Sequence, residues 1–416
     1  MIEPLPLLKN KKEWFYLGFA FSILFISNIF IQYLHYKDFK DEEIFITKAK
    51  IENIYIKKQY KILKLSTKDF TFFTKDSSNL PLHKLNNIDI TIVTNNITFL
   101  DFIKSFYAPS FNITILYQEK NLFYHLYKSI STQHHNQKIS ELFNALFLAI
   151  PTSKDIKQLC STYGVSHLIA ISGFHLGVLS FVSYWIIYVL YINIKKRYFP
   201  YRNTRFDIMI IVSFILLGYL LFLGLVPSLL RAYIMFIFGL FLYRCNIKLI
   251  SFQTLLLVVL FIISLFPKLL FSLSLWFSIA GVFYIFLFIK YFKNLNKIIN
   301  FILFNIWIFL AMNPITHYFF SITSFKQLYS PIFTLLFTIF YPLELFLHLI
   351  YKGDIFDNII NLWINNTTNY TNIQSSIYFI IIYLGVSFLS IKSKKWFYIL
   401  NIMFVGFNIW LYSNIL

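Results

Sequence analysis

Cysteine is nearly missing from this chain of 416 residues: Cys160 and Cys245 are its only two. That rules out a disulfide framework and a cysteine zinc site. Charge is scarce too, at 13% Asp, Glu, Lys and Arg, far below what a soluble domain carries. Acids are the scarcer sign, and past Val165 only Asp207, Glu344, Asp354 and Asp357 stand against seventeen Lys and Arg. A pathway through that half would repel anions little, which suits a polyanion better than a metal cation. The positive-inside rule and a chain-wide bias to Lys, Asn, Ile and Phe account for part of the same excess. No glycine is followed by lysine, so the chain has no P-loop and is not its own ATP motor. No His-x-His-x-Asp-His run occurs either, which argues against a binuclear hydrolase. Neither an enzyme centre, a cofactor nor a metal is expected.

What is abundant is apolar: 58% of residues are hydrophobic and 21% aromatic. Runs long enough to cross a bilayer recur at Trp14 to Leu34, Val165 to Ile192, Phe206 to Leu223, Leu229 to Tyr243, Leu249 to Leu265, Leu269 to Ile289, Ile298 to Tyr318, Phe325 to Ile350, Ile377 to Leu389 and Trp396 to Leu411. The fold expected is a polytopic α-helical membrane protein with an N-terminal exterior OB-like small β-barrel domain. The first run follows Lys9, Lys11 and Lys12 and lacks a cleavage site, so residues 1–36 read as a cytoplasmic N-terminus and retained anchor.

Residues 37–120 read as the exterior β domain. Ile44 to Ile56, Lys61 to Ser66, Phe70 to Lys75, Ile88 to Thr94 and Phe111 to Gln118 are rich in β-branched and aromatic residues and separated by turn signals. Ile97 to Tyr107 repeats its apolar residues at helical spacing, which makes one helix among about five strands. A small barrel with one helix fits, and the OB type is the commonest such object. Lysines are interleaved with aromatics, and Lys57, Lys58, Tyr60, Lys61 and Lys64 form the candidate DNA-binding group. Cations with stacking rings are what an unspecific single-strand binder needs; a solvated lysine face over an aromatic core is the other reading. Residues 121–164 read as amphipathic helices lying on the outer interface. Residues 165–350 read as a transmembrane core, and residues 351–416 as an amphipathic segment and a C-terminal helical hairpin. Loop charges alternate until Lys352 and Ile391 to Lys395 both claim the inside, so Phe325 to Ile350, with Pro331 and Pro342, reads as re-entrant or bent.

Several polar residues inside the apolar runs are candidates for lining a path. On one continuous helix His167, Ser172 and His175 share a polar arc, with Gly173 and Gly177 beside it leaving room for close approach. Arg231, a turn beyond Pro227, either snorkels to headgroups or holds phosphate. Ser278 and Gly281 lie three apart in another run, and His317 follows Pro314.

ALFLAIPTSKDIKQLCSTYGVSHLIAISGFHLGVL (Ala145 to Leu179) resembles the signature of the ComEC competence family leading into its HLLAISGLHVG-type motif. VPSLLRAYIMFIFGLFLYR is similar to that family's second block, with Arg231 in the place of its arginine. LWFSIAGV resembles a third block, keeping Ser278 without the glutamine. HYFFSITSFKQLYSPIFTLL is similar to a Ser-Pro-x-x-Asn block, with Ser330 and Pro331 matching and Thr334 in place of the Asn. The resemblance implies a channel passing single-stranded DNA across the bacterial inner (cytoplasmic) membrane during natural transformation, with the N-terminus cytoplasmic and the β domain periplasmic. It implies as partners single-stranded DNA, membrane lipids, a periplasmic DNA receptor and cytoplasmic strand-binding or helicase proteins, and leaves a homo-oligomer open. Many members continue into an exterior metallo-β-lactamase-like domain; this chain ends at Leu416, so degradation of the strand left outside is expected of another protein. A secondary transporter of a small anion or envelope precursor, using Glu344 as coupling carboxylate, is the alternative.

Overall fold

The computed structural model describes residues 10–57, 60–76, 80–116, 121–198, 201–245, 250–293, 296–366 and 369–415. The chain forms a largely helical membrane protein with a small N-terminal sheet. Among the described residues eight helices are long and apolar enough to cross a membrane. It divides into two compact units.

The first unit is built on α1 (Lys11–Lys40), β1 (Ile44–Ile56), β2 (Lys61–Ser66), β3 (Thr71–Asp76), β4 (Asn87–Val93), α2 (Phe99–Lys104), β5 (Phe106–Tyr107) and β6 (Ser110–Ile115). Alternation decides the inner face: Leu63 and Leu65, Phe72 and Thr74, Ile88, Ile90 and Ile92 are buried while their neighbours are more open. Each large apolar side chain so buried contributes roughly 1.5–3 kcal/mol. The strands run in the order β5-β3-β2-β1-β4-β6, antiparallel except where β5 joins β3. β5 and β6 sit at opposite ends of that order, yet only Ala108 and Pro109 separate them in the chain. The sheet therefore curls, and Thr74 Oγ1 donates to Ser110 Oγ at 2.6 Å across the gap. The helix expected over Ile97 to Tyr107 is shorter, because Phe106 and Tyr107 leave it to pair with Phe72 and Phe73.

α1 is more than an anchor. Its last turn inserts Phe39 among Phe45, Phe70, Phe102 and Phe106 at ring separations of 4.9 to 5.7 Å. Leu257–Leu273, from far along the chain, belongs to the same unit. There Asn28 Nδ2 donates to the Ser264 carbonyl at 2.9 Å, a bond worth making inside apolar surroundings.

The second unit holds most of the rest: α3 (Leu122–Thr132), whose first residues belong to the sheet unit, leads into α4 (Gln137–Leu148), α5 (Lys154–Thr162), α6 (Ser166–Ile169), α7 (Gly173–Tyr198), α8 (Thr204–Phe222), α9 (Pro227–Arg244), α10 (Phe252–Leu265), which passes into the sheet unit from Leu257, α11 (Leu273–Tyr291), α12 (Lys297–Phe319), α13 (Ser330–Leu349), α14 (Asp357–Asn365), α15 (Ile377–Leu389) and α16 (Lys394–Ser413). Within residues 121–164, α4 is packed deeply against other helices. Every residue from Leu142 to Leu148 is buried, Phe143 packs on Phe340, and Tyr219 of α8 donates to the Phe147 carbonyl. Its polar side chains are placed at contacts between helices: Asn144 bonds back to Ser140 and Ser131, and Glu141 accepts from the Ser153 N–H.

α13 and α14 form a hairpin. Ile322–Thr323 before α13 pairs antiparallel with Thr371–Asn372 after α14, so the chain leaves and returns at one level. The base of the hairpin is fixed by Ser330 Oγ, which donates to the Gly164 carbonyl at 2.8 Å, and by Gln327 Nε2, which donates to the Ser161 carbonyl at 2.9 Å.

Gly164 has φ +67°, and a Cβ there would lie 3.2 Å from Ser330 Cβ. Gly164→Ala therefore combines left-handed strain of about 1–2 kcal/mol with a tight contact. The apparent Tm of the purified protein should fall by several degrees, while Gly218→Ala, with open space at its Cβ position, should leave it within about a degree.

Candidate functional site

The run expected as one helix from Val165 is two. α6 ends at Ile169, Ala170 is extended, and α7 begins at Gly173. The cause is local. Ser172 Oγ accepts from the Phe174 N–H at 3.3 Å, and His175, three residues beyond Ser172, accepts the Ser172 N–H on Nδ1 at 3.1 Å. This is a capping box in which an imidazole replaces the usual Glu or Gln. Because Nδ1 accepts, the ring proton sits on Nε2, which is buried without a hydrogen-bond partner, and the imidazole packs edge-on to the Tyr341 ring with centroids 4.5 Å apart. His175 is 1% exposed. It holds the start of α7 and does not face an open path, and the polar arc expected from a continuous helix does not form.

α9 brings a cation to the same place. Ser228 Oγ donates to the Ile171 carbonyl, one of the backbone groups that the break frees. One turn later Arg231 is 6% exposed, with Nε donating to Ser278 Oγ on α11 at 2.6 Å and Nη1 reaching Met235 Sδ at 3.0 Å. A Cβ on Gly173 would lie 3.5 Å from Arg231 Nη2 and 3.4 Å from Ala232 Cβ. The glycine thus lets the start of α7 close on α9. Snorkelling to headgroups would leave this guanidinium at the surface; it is turned into the bundle instead.

Nothing acidic answers it. Asp207 is taken by Arg202, whose Nη2 and Nε lie 2.8 and 2.9 Å from its two oxygens, with Tyr191 as a third donor. Glu344 and Asp357 pair with histidines, and Asp354 is exposed. Among the described residues no carboxylate forms an ion pair with Arg231. A guanidinium has five N–H donors, and those left over, together with the N-terminal end of α7, make a spot that favours an anion.

The other candidates scatter. His167 is exposed on α6, with Nε2 at 3.3 Å from Thr334 Oγ1, the residue standing where the resemblance would put an Asn. Gly177 and Gly281 have nothing within 4 Å of a built Cβ, so neither is needed for clearance. His317 is buried on α12, bonded through Nδ1 to the Asn313 carbonyl at 3.1 Å and packed towards Phe407. The sequence reading passed over Ser228, although a Ser one turn before an in-span Arg was a usable signal.

In the sheet unit Lys57 and Tyr60 close the β1–β2 turn, with the Lys57 N–H on the Tyr60 carbonyl at 2.9 Å, and Lys61 opens β2. Lys58 lies outside the described residues. Lys75 stands 5.2 Å over the Tyr60 ring, adding a cation the candidate group omitted. Lys64 is pulled out of that group by Glu52, 2.7 Å away.

Residues 151–413 match the family described as Competence protein. No curated protein and no solved structure matches the chain.

The cap makes a measurable distinction. A Gln side chain can accept the Ser172 N–H as His175 does, so His175→Gln should keep most of the apparent Tm. His175→Ala should lose about 1 kcal/mol from the cap and more from the cavity it leaves. Equal losses in the two variants would rule out the capping role.

Proposed function

The chain belongs to the competence protein family, and from that premise we propose that it passes single-stranded DNA across the bacterial inner membrane during natural transformation. Membership gives a role in DNA uptake; the channel is our reading. The observation that carries it is Arg231, a buried guanidinium in a chain half with four carboxylates, none of them paired with it among the described residues. A buried cation left without a fixed partner is costly unless an anion visits it. A phosphate backbone supplies such anions in series, and guanidinium takes phosphate oxygens bidentately. Ser172, Gly173 and Ser278 then shape the place where the strand passes Arg231. No step of covalent chemistry is proposed, and the protein acts as a conduit rather than an enzyme.

The sheet unit is the receiving element in this reading: an OB-type barrel on the periplasmic side of an anchor whose N-terminus is cytoplasmic. Its curled sheet and single helix support that assignment, and Lys57, Tyr60, Lys61 and Lys75 at one turn offer cations around an aromatic ring. Moving one negative charge inward against 100 mV costs about 2.3 kcal/mol. A periplasmic DNA receptor and a cytoplasmic helicase or strand-binding protein are therefore the partners that deliver and pull the strand. A transporter of a small anion or envelope precursor is the second reading, and Glu344 favours it: the side chain is fully buried in α13 with neither oxygen hydrogen-bonded.

In a transformable host, Arg231→Gln should lower delivery of DNA to the cytoplasm about tenfold or more, the worth of one charge-assisted contact, while uptake into the periplasm stays unchanged. Normal delivery in that variant and in Arg231→Glu would remove the phosphate role. For the sheet unit, binding of a fluorescent oligonucleotide to the full chain should weaken in Lys57→Ala/Lys61→Ala. The slope of log K against log salt should flatten by about 1.4, or about 0.7 for each lost phosphate contact. An unchanged slope would mean that those lysines are only a solvated face.

A further inference from the structure

Glu344, which the second reading uses, leads to a cluster of His348, His134 and Asp357 that neither reading uses. His134, in the turn between α3 and α4, lies between Asp357 at the start of α14 and His348 at the end of α13. Its Nδ1 is 2.8 Å from Asp357 Oδ1 and its Nε2 is 3.0 Å from His348 Nε2. His348 Nδ1 donates to the Glu344 backbone carbonyl at 2.8 Å and lies 3.2 Å from the Glu344 carboxylate. Phe143 stacks on His134 at 4.7 Å, and Phe143 and Phe147 flank His348 at 4.7 and 5.0 Å. The hairpin turn closes the remaining side: the Gly353 N–H donates to Gln133 Oε1 at 3.0 Å, and a Cβ on Gly353 would strike the His348 ring at 2.7 Å. Among the described residues these groups do not converge as ligands to a metal ion would.

The acceptors fix the proton count. A carbonyl only accepts, so His348 Nδ1 carries a hydrogen. The Asp357 contact needs one proton, and the contact between the two Nε2 atoms needs another, because two lone pairs do not bind each other. These three contacts hold three protons. An ionised carboxylate and two neutral imidazoles bring only two between them. We infer that Asp357, His134 and His348 form a buried binding site for one additional proton, and that this proton fastens the tip of the α13–α14 hairpin to the α3–α4 turn.

The extra proton can shift along the chain between Asp357 and the two rings without changing the count. A second one would set N–H against N–H across 3.0 Å, and loss of the first sets lone pair against lone pair. The latch is closed only between those limits. The titratable groups facing it are Asp357 from α14 and Glu344 and His348 from α13; α4 presents only rings, and His135, Lys352 and Asp354 are exposed. Burial lowers the His134 imidazole, opposed by Asp357 and Glu344 and reinforced by His348. Burial that disfavours a charged His134 lowers the affinity for the extra proton and moves both limits down the pH scale, so the latch opens first by losing that proton as pH rises.

The test uses the full chain in lipid nanodiscs. With ¹⁵N-labelled histidine and ¹³C-carboxyl-labelled aspartate, and His134→Gln, His348→Gln and Asp357→Asn spectra to assign the signals among the nine histidines, the pair should show at the pH of slowest exchange either three protonated ring nitrogens or two together with a protonated Asp357 carboxyl. Hydrogen exchange over residues 353–365, corrected for intrinsic rate, should pass through a minimum with pH and become about tenfold faster once the extra proton is lost on the alkaline side. Asp357→Asn, whose amide can donate to His134 Nδ1 without an extra proton, should leave two protonated nitrogens and slow exchange there that no longer varies with pH around neutrality, with exchange in β1 to β4 unchanged. Two protonated nitrogens together with an ionised Asp357 carboxylate in the wild-type chain, or exchange that is flat with pH, would overturn the inference. Both readouts come from the wild-type protein, so misfolding of a variant cannot rescue or sink it.

Discussion

The His175 imidazole takes the Ser172 N–H, and the geometry around Arg231 depends on that contact. Backbone groups freed inside an apolar bundle must find partners within the protein. Between Ile169 and Gly173 they find Ser172, His175 and Ser228. With the break satisfied, α7 can start where it does, and a glycine at its first position lets α9 approach with Arg231. Further back, the same economy appears at Gly164, whose carbonyl is held by Ser330 at the foot of the α13–α14 hairpin. The segments that resemble one another's counterparts in the competence family thus touch in space: α6 with α13 through His167 and Thr334, α7 with α9 through Gly173, and α9 with α11 through Ser278.

Charge in the helical unit follows a division of labour. Asp207 is neutralised by Arg202 beside the start of α8. Glu344 and Asp357 are engaged with imidazoles at the far end of α13. Among the described residues Arg231 is a buried cation without an acid, and in low dielectric that asymmetry matters more than the net charge of the chain. A net charge of +19 speaks to the surface and the membrane faces; a single buried guanidinium beside a helix N-terminus speaks to a ligand. The sheet unit meets the anion question differently, with exposed lysines around Tyr60 that cost little to hold in water.

Hydropathy and alternation made most elements legible. Apolar runs marked most of the helices, with Val165 to Ile192 proving to be two, since a segment in an apolar surrounding needs its own backbone bonds and about twenty residues to cross. Period-two burial marked β1 to β4. The Ser-x-x-His spacing of the cap also lay open in the sequence, but a continuous apolar run hid it, because hydropathy does not register a break that side chains satisfy. The depth of α4 was not legible for a related reason: its polar residues, Ser140, Glu141 and Asn144, give an amphipathic pattern, and only the packing shows them spent on contacts within the protein.

By itself the sequence determined the class of the protein, the order of its helices and strands, and the shortage of acids that makes an anion path plausible, because these depend on local spacing and composition. Only the tertiary structure decided which polar residues meet. Arg231 and Ser278 are 47 residues apart, and His134 and Asp357 are 223 apart. No periodicity along one helix encodes such contacts. They arise when packing brings separate elements within hydrogen-bond range, and the same packing leaves Gly177, Gly281 and His317 outside the site that their residue types suggested.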